Sequence, residues 1–140
     1  SLKRSGMTRQ SKPLSPRSVE VLAVNQHLKQ RMEELLTRND GVTLATCGPA
    51  GPQLSSIPYQ TRQFLVYLFV PHGSDHLFNL EIQPELVLLS PGWKLQGVGV
   101  IQQESPVAAP HAWQIVVRVV PVRLHILSQD GQFSIETIDF

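Results

Sequence analysis

The stretch Gly41-Val42-Thr43-Leu44-Ala45-Thr46-Cys47 decides the fold, because the apolar period of the chain changes there. Upstream of it, Val21, Val24, Leu28, Met32, Leu35 and Leu36 recur at three- and four-residue steps. That is the single stripe of an amphipathic helix packed on a core. Ser15-Pro16 offers a hydroxyl cap and a proline at the first helical position, and Asn39-Asp40-Gly41 closes the run. The spacing therefore predicts a helix over 16–38. From Val42 onward the period is that of strands.

Val42–Cys47 reads as a first strand, and the breakers Gly48-Pro49-Ala50-Gly51-Pro52 as a turn. A second strand follows over 53–60, in which Pro58 marks an edge or a bulge. Residues 64–70 are apolar at nearly every position, so both faces of a third strand should be buried. A barrel interior covers one face, and the other calls for a helix or a second subunit. After Pro71-His72-Gly73, Ser74 can cap a short helix over 74–82, and Pro84 leads into a strand over 85–90. The strand 93–103 carries Trp93, Leu95, Gly97, Gly99 and Ile101 on one face, and the paired glycines suggest a bulge or a close approach. A proline-containing loop, Glu104 to His111, precedes a long strand over 113–127, whose apolar phase slips at Pro121 as a bulge would make it. Gln129-Asp130-Gly131-Gln132 is a hairpin turn before a closing strand, Phe133 to Phe140. This is a mainly β chain: an antiparallel barrel of about six strands with an N-terminal helix and one short helix between strands.

The chain has 140 residues, 41% of them hydrophobic and 16% charged, which suits one globular domain. Residues 1–14 carry Lys3, Arg4, Arg9 and Lys12 among Ser, Gly and Pro without an apolar period, and are expected to be a flexible arm ahead of a domain over 15–140. With 12 basic and 11 acidic side chains the net charge is +1, so nothing electrostatic points to nucleic acid or an anionic membrane. No apolar run has the length of a membrane span, and the single cysteine, Cys47, excludes an intrachain disulfide and a cysteine-based zinc site. A cytoplasmic setting is expected.

Several residues invite chemistry and have plainer readings. His72 and His76 are four apart, yet Gly73 and the cap at Ser74 keep His72 out of the helix that metal spacing requires. No metal site is expected, and both read as loop or helix-surface residues. Ser74, Asp75 and His76 lie too close in sequence to form a hydrolytic triad. His27, His111 and His125 are isolated, and Cys47 reads as a packing residue. Trp93 and Trp113 each begin a strand, where packing in the core or at a dimer interface competes with contact to a ligand ring.

The order and spacing of Gly41-Val42-Thr43-Leu44-Ala45-Thr46, Gly48-Pro49-Ala50-Gly51-Pro52, Pro71-His72-Gly73-Ser74, Asn79-Leu80, Pro84, Leu86-Val87-Leu88-Leu89 and Leu95-Gln96-Gly97 resemble the pyridoxamine 5'-phosphate oxidase-like, FMN-binding split β-barrels. The resemblance covers residues 20 to 127. It implies a homodimer of antiparallel barrels, a small-molecule substrate or ligand, and FMN in grooves between subunits. It implies that the ring lies against Ser56, Ile57 and Pro58 of the second strand and Val70 of the third, with Trp93 at the ring. The phosphate would sit at the Gly73–His76 turn, held by Ser74, the free N–H groups of the helix start, His76 and Arg62. Members of the family usually carry two basic residues after the Gly-Ser pair, where this chain has Asp75 and His76. The implied function is a flavin-dependent oxidoreductase. The alternatives are a non-enzymatic binder of haem or another planar ligand on the same fold, and a dimeric module with a vacant flavin site.

Overall fold

In a computed structural model the described residues are 30, 33–35, 41–63, 65–127 and 135–140. Two compact units divide the chain, Ser1–Arg31 and Met32–Phe140, and all described residues except Gln30 lie in the second. Residues 30 and 33–35 are helical. The rest of the helix expected over 16–38, the arm over 1–14, Phe64, and the hairpin turn over 129–132 lie outside the described residues.

From Gly41 onward the described residues form, in order, β1 (Gly41–Thr46), β2 (Gln53–Arg62), β3 (Leu65–Pro71), helix α1 (Asp75–Ile82), β4 (Glu85–Ser90), β5 (Trp93–Ile101), β6 (Gln114–Leu127) and β7 (Ile135–Asp139). All pairings are antiparallel, in the order β3-β2-β1-β4-β5-β6, and β3 also pairs with β6, so six strands close into a barrel. The long β6 makes the closure possible. One of its edges carries β5; the other is shared, with Gln114–Val119 on β3 and Arg123–Leu127 on β7.

Alternation fixes which residues fill the interior. In register, Leu44 lies opposite Leu88, Leu88 opposite Leu95, and Leu95 opposite Leu124, so one belt of leucines crosses four strands, all essentially inaccessible to solvent. Trp93 closes the interior two residues further along β5 and is buried in the core. The two glycines of β5 mark close approaches. A Cβ on Gly97 would stand 2.7 Å from the carbonyl oxygen of Val120, and one on Gly99 would stand 2.8 Å from Leu86. The β5–β6 register shifts between Gln96 and Gly97, where Gln96 faces Arg123 and Gly97 faces Pro121. Val122 is thus the extra residue of a bulge, which the phase slip at Pro121 had indicated.

β3 departs from expectation in an instructive way. Both of its faces are buried, as its unbroken apolar run implied, but the cover comes from the same chain. Val66, Leu68 and Val70 face the barrel interior, whereas Tyr67 and Phe69 pack outside it with Val107 and Val116, flanked by Leu65 and Ala109. Val107 and Ala109 belong to the β5–β6 connection, which is strapped over β3 by Arg62 donating to the Pro106 carbonyl at 2.8 Å and by the Gln102 N–H donating to Val116. A second subunit is not needed to bury β3 or Trp93. The β5–β6 connection is placed to cover β3 because it enters β6 at Gln114, the end that pairs with Pro71 of β3.

The leucine belt should govern stability. Leu88→Ala should destabilise the fold by about 2–5 kcal/mol, the range for a buried leucine that leaves a cavity. Leu54→Ala, at an exposed position of β2, should change it by less than about 0.5 kcal/mol. Urea denaturation followed by tryptophan fluorescence measures both; equal effects would show that the belt is not the centre of the core.

Candidate functional site

Helix α1 closes one end of the barrel, and a buried polar cluster attaches it. Asn79 is wholly buried and uses its amide in full: its Oδ1 accepts from the Ala50 N–H at 2.8 Å, and its Nδ2 donates to the Gly51 carbonyl at 2.8 Å and to Thr46 Oγ1 at 3.1 Å. The β1–β2 turn is thereby clamped to the helix. Gly48 is where they touch, since a Cβ there would lie 3.0 Å from Asn79. Thr46 Oγ1 is also 2.8 Å from His76 Nδ1. An arrangement in which Thr46 accepts from Asn79 and donates its own proton to Nδ1 satisfies all these contacts and leaves the imidazole proton on Nε2. That Nε2 is buried without a hydrogen-bond partner.

His76 is therefore not the helix-surface residue expected from the sequence, nor a cation presented to a phosphate. It points into the barrel end, where burial pushes its pKa down from the ordinary imidazole value and the neighbouring Asp75 carboxylate opposes that only in part. The sequence held a signal for this cluster. Thr46 falls in phase with the inward Val42 and Leu44, and His76 and Asn79 fall in phase with Leu80, so polar residues occupy inward positions of both elements.

The start of α1 has the shape expected of it. Gly73 adopts a left-handed φ of 85°, Ser74 is the N-cap, and its hydroxyl accepts from the His76 N–H at 3.2 Å. The Ser74 O–H can still donate outward. The cleft beside this turn is about 520 Å³ and is lined by His72, Ser74, Asp75, Phe78, Glu81 and Ile101 among others, with no lysine or arginine among the described residues. Arg62 cannot reach it. Arg62 lies opposite Leu65 at one end of β3, and Ser74 follows Pro71 at the other; six residues of strand separate those ends by roughly 20 Å. Its guanidinium is instead committed to the Pro106 carbonyl.

Among the other sequence candidates, the structure brings only part together. Ser56 and Pro58 present exposed side chains on β2, whereas Ile57, Val70 and Trp93 face the barrel interior and offer a ligand no side-chain surface. β2 pairs with β3 only from Tyr59 to Arg62, so over Gln53–Pro58 its second edge has no strand partner among the described residues. Pro58 stands where that pairing ends, as its missing N–H would lead one to expect. Cys47 is exposed rather than packed. It borders a second, apolar cleft of about 470 Å³ over the outer face of β1, β4 and β5, together with Ala45, Glu85, Val87, Gln96 and Val98. His72 is exposed beside the first cleft, and its N–H donates to the Trp113 carbonyl at 2.7 Å. Trp113 is itself exposed and stacks on His111 with ring centroids 5.2 Å apart. No helix of the described residues is long and apolar enough to cross a membrane.

This architecture is a split β-barrel of the pyridoxamine 5'-phosphate oxidase-like kind, and solved structures share it. General Stress Protein 26 from Bacillus anthracis superposes with a TM-score of 0.64 at 13% identity, over 81% of this chain and 99% of that one. A putative pyridoxamine 5'-phosphate oxidase from Listeria innocua gives 0.59 at 14%, over 71% and 98%. HutZ, the haem storage protein from Vibrio cholerae, gives 0.55 at 15%, over 69% and 92%. At such identities the likeness establishes the fold. No protein-family model and no curated protein matches the sequence.

The buried neutral imidazole gives a pH prediction. With a folded pKa below the unfolded value of about 6.5, the unfolded chain binds the extra proton more readily, so His76 stabilises nothing on protonation and costs stability as pH falls. Stability from this residue is complete above about pH 6.5 and is lost as pH descends toward the lowered folded value. Denaturation midpoints of wild type and His76→Gln at pH 7.5 and pH 5 should show a smaller acid loss in the variant. Equal losses would mean that His76 is already solvated.

Proposed function

We propose that this protein is a dimeric binding protein for a planar ring ligand seated in the groove beside the start of α1, held without a phosphate anchor. The observation that carries this reading is the charge of the groove: among the described residues Asp75 and Glu81 line it, and no lysine or arginine does. An FMN phosphate is close to a dianion at neutral pH and is normally held by charge-assisted donors. Here, among the described residues, Ser74 and the N–H groups of the helix start would face it, next to a carboxylate in the first helical turn. The described residues of the groove do not fit an FMN phosphate well.

Haem suits the side chains better. The exposed imidazole of His72 is a nitrogen ligand of the type iron takes, and Phe78, Ile101 and Ile115 give the ring apolar walls. A haem-binding protein from Mycobacterium smegmatis and the Vibrio cholerae haem storage protein have this fold, which supports the reading. The volume of about 520 Å³ is in the ordinary range for small-molecule sites. The dimer is supported by apolar residues left exposed on the outer face of β4, β5 and β6.

The second reading is an FMN-dependent oxidoreductase related to pyridoxamine 5'-phosphate oxidase. It is favoured by the Gly73-Ser74 turn at a helix start and by the unpaired edge of β2 at Ser56 and Pro58. In it the flavin would carry the redox chemistry and the chain would bind and orient it.

Absorbance titrations separate the two. Haemin should give a shifted Soret band that is lost in His72→Ala and kept in His125→Ala. FMN should bind wild type weakly, and Asp75→Arg should raise its affinity by at least tenfold, about 1.4 kcal/mol. Tight FMN binding by wild type without a haemin shift would replace the first reading by the second; no spectral change with either would leave a dimeric module with a vacant site.

A further inference from the structure

The ladder between β3 and β6 runs one step past the barrel rim, and that step sets two rings side by side. Val70 lies opposite Ile115 on the inward face of the pair, and Pro71 lies opposite Gln114. The His72 N–H then donates to the Trp113 carbonyl at 2.7 Å, which carries the pairing on to His72 and Trp113. Alternation returns these two residues to the face of Val70 and Ile115. His72 and Ile115 both line the cleft beside α1, so Trp113 stands at its mouth as the same-face neighbour of His72. Side chains placed in this way across a strand pair stand about 5 Å apart at Cβ.

Trp113 is 56% exposed, although an indole has a large apolar surface to gain from burial. Its position is nevertheless fixed. Residues 111–114 form a turn closed by the Gln114 N–H donating to the His111 carbonyl at 3.1 Å and by the His111 N–H donating to Gln114 Oε1 at 3.0 Å. Within this turn the His111 ring lies 9° from parallel to the indole, with 5.2 Å between centroids, and backs one of its faces. An aromatic wall held in place but left open loses little freedom when a flat ligand covers it. The placement suits a ring ligated through His72. An imidazole bound to iron stands along the normal to a tetrapyrrole, and a neighbour about 5 Å to its side can lie flat over a pyrrole on the same ring face.

We propose that Trp113 is the stacking residue for a planar tetrapyrrole in this groove, with His111 backing the indole and His72 beside it as the iron ligand. This rests on the haem reading above and names the side chain that positions the ring. Trp93, the ring contact implied by the family resemblance, begins β5 and is buried, whereas Ile101 at the cleft ends that strand, roughly 25 Å further along.

Haemin and metal-free protoporphyrin IX, titrated by absorbance into the full chain, separate iron ligation from stacking, with circular dichroism confirming that each variant folds. Wild type should bind both. Trp113→Ala should weaken both about tenfold, as the loss of one aromatic contact would, and Trp113→Phe should restore each to within about threefold. His72→Ala should cost haemin far more than protoporphyrin, because only haemin has an iron to ligate. In proton–nitrogen correlation spectra of the protoporphyrin complex, the porphyrin ring current should move the Trp113 indole N–H upfield and leave that of Trp93 in place. A loss of affinity in Trp113→Ala without that upfield shift would mark an indirect effect on the turn and overturn the stacking. Porphyrin binding that Trp113→Ala leaves unchanged also overturns it, with the haem reading of the groove intact. A wild type that binds neither porphyrin overturns both.

Discussion

The belt Leu44, Leu88, Leu95 and Leu124 is the contact on which the rest of the structure depends. Side chains along a strand alternate between faces, so a slip of one residue in any of the four strands would carry its leucine from the interior to the outside. The belt therefore sets three registers together. Once they are set, the bulge at Val122 is obliged to absorb the extra residue on β6, and Gly97 is obliged to be small, because its neighbour across the bulge is the Val120 carbonyl. Closure between β3 and β6 follows, since β6 leaves the belt with half of its far edge still free.

The end of the barrel beside α1 works by a different rule. It is held by directional contacts of Asn79, Thr46 and His76 in addition to the buried Leu80. A buried amide with all its partners supplied fixes position more narrowly than packing alone, since any displacement strands a polar group away from water. The β1–β2 turn is consequently tied to the helix whose start borders the cleft beside Ser74. His76 Nε2, the one buried atom of the cluster left without a partner, is the exception.

Fold and ligand are separable in this architecture. General Stress Protein 26 from Bacillus anthracis and the haem storage protein from Vibrio cholerae each superpose on this barrel. Ligand choice must then be decided by the few side chains at the groove. Among the described residues of this chain those are carboxylates, an imidazole and apolar walls, and Arg62 of β2 is engaged elsewhere, holding the strap over β3.

Much of the barrel was legible from residue order alone. The switch to a two-residue period at Val42, the breakers at Gly48–Pro52 and Pro71–Gly73, the cap at Ser74 and the phase slip at Pro121 each act locally, through backbone sterics and alternation, and each lies where the structure has a corresponding boundary. Contacts between distant segments were not legible. That Val107 and Ala109 cover Tyr67 and Phe69, that Arg62 faces Pro106 rather than the helix start, and that His76 turns inward to Thr46 all depend on which strands become neighbours when the barrel closes. The sequence by itself determined the strands, their inward faces and the turn at the helix start, because those follow from near-neighbour chemistry. Only the tertiary structure decided where charge and cover lie around the groove, because closing a sheet juxtaposes residues whose separation along the chain carries no trace of it.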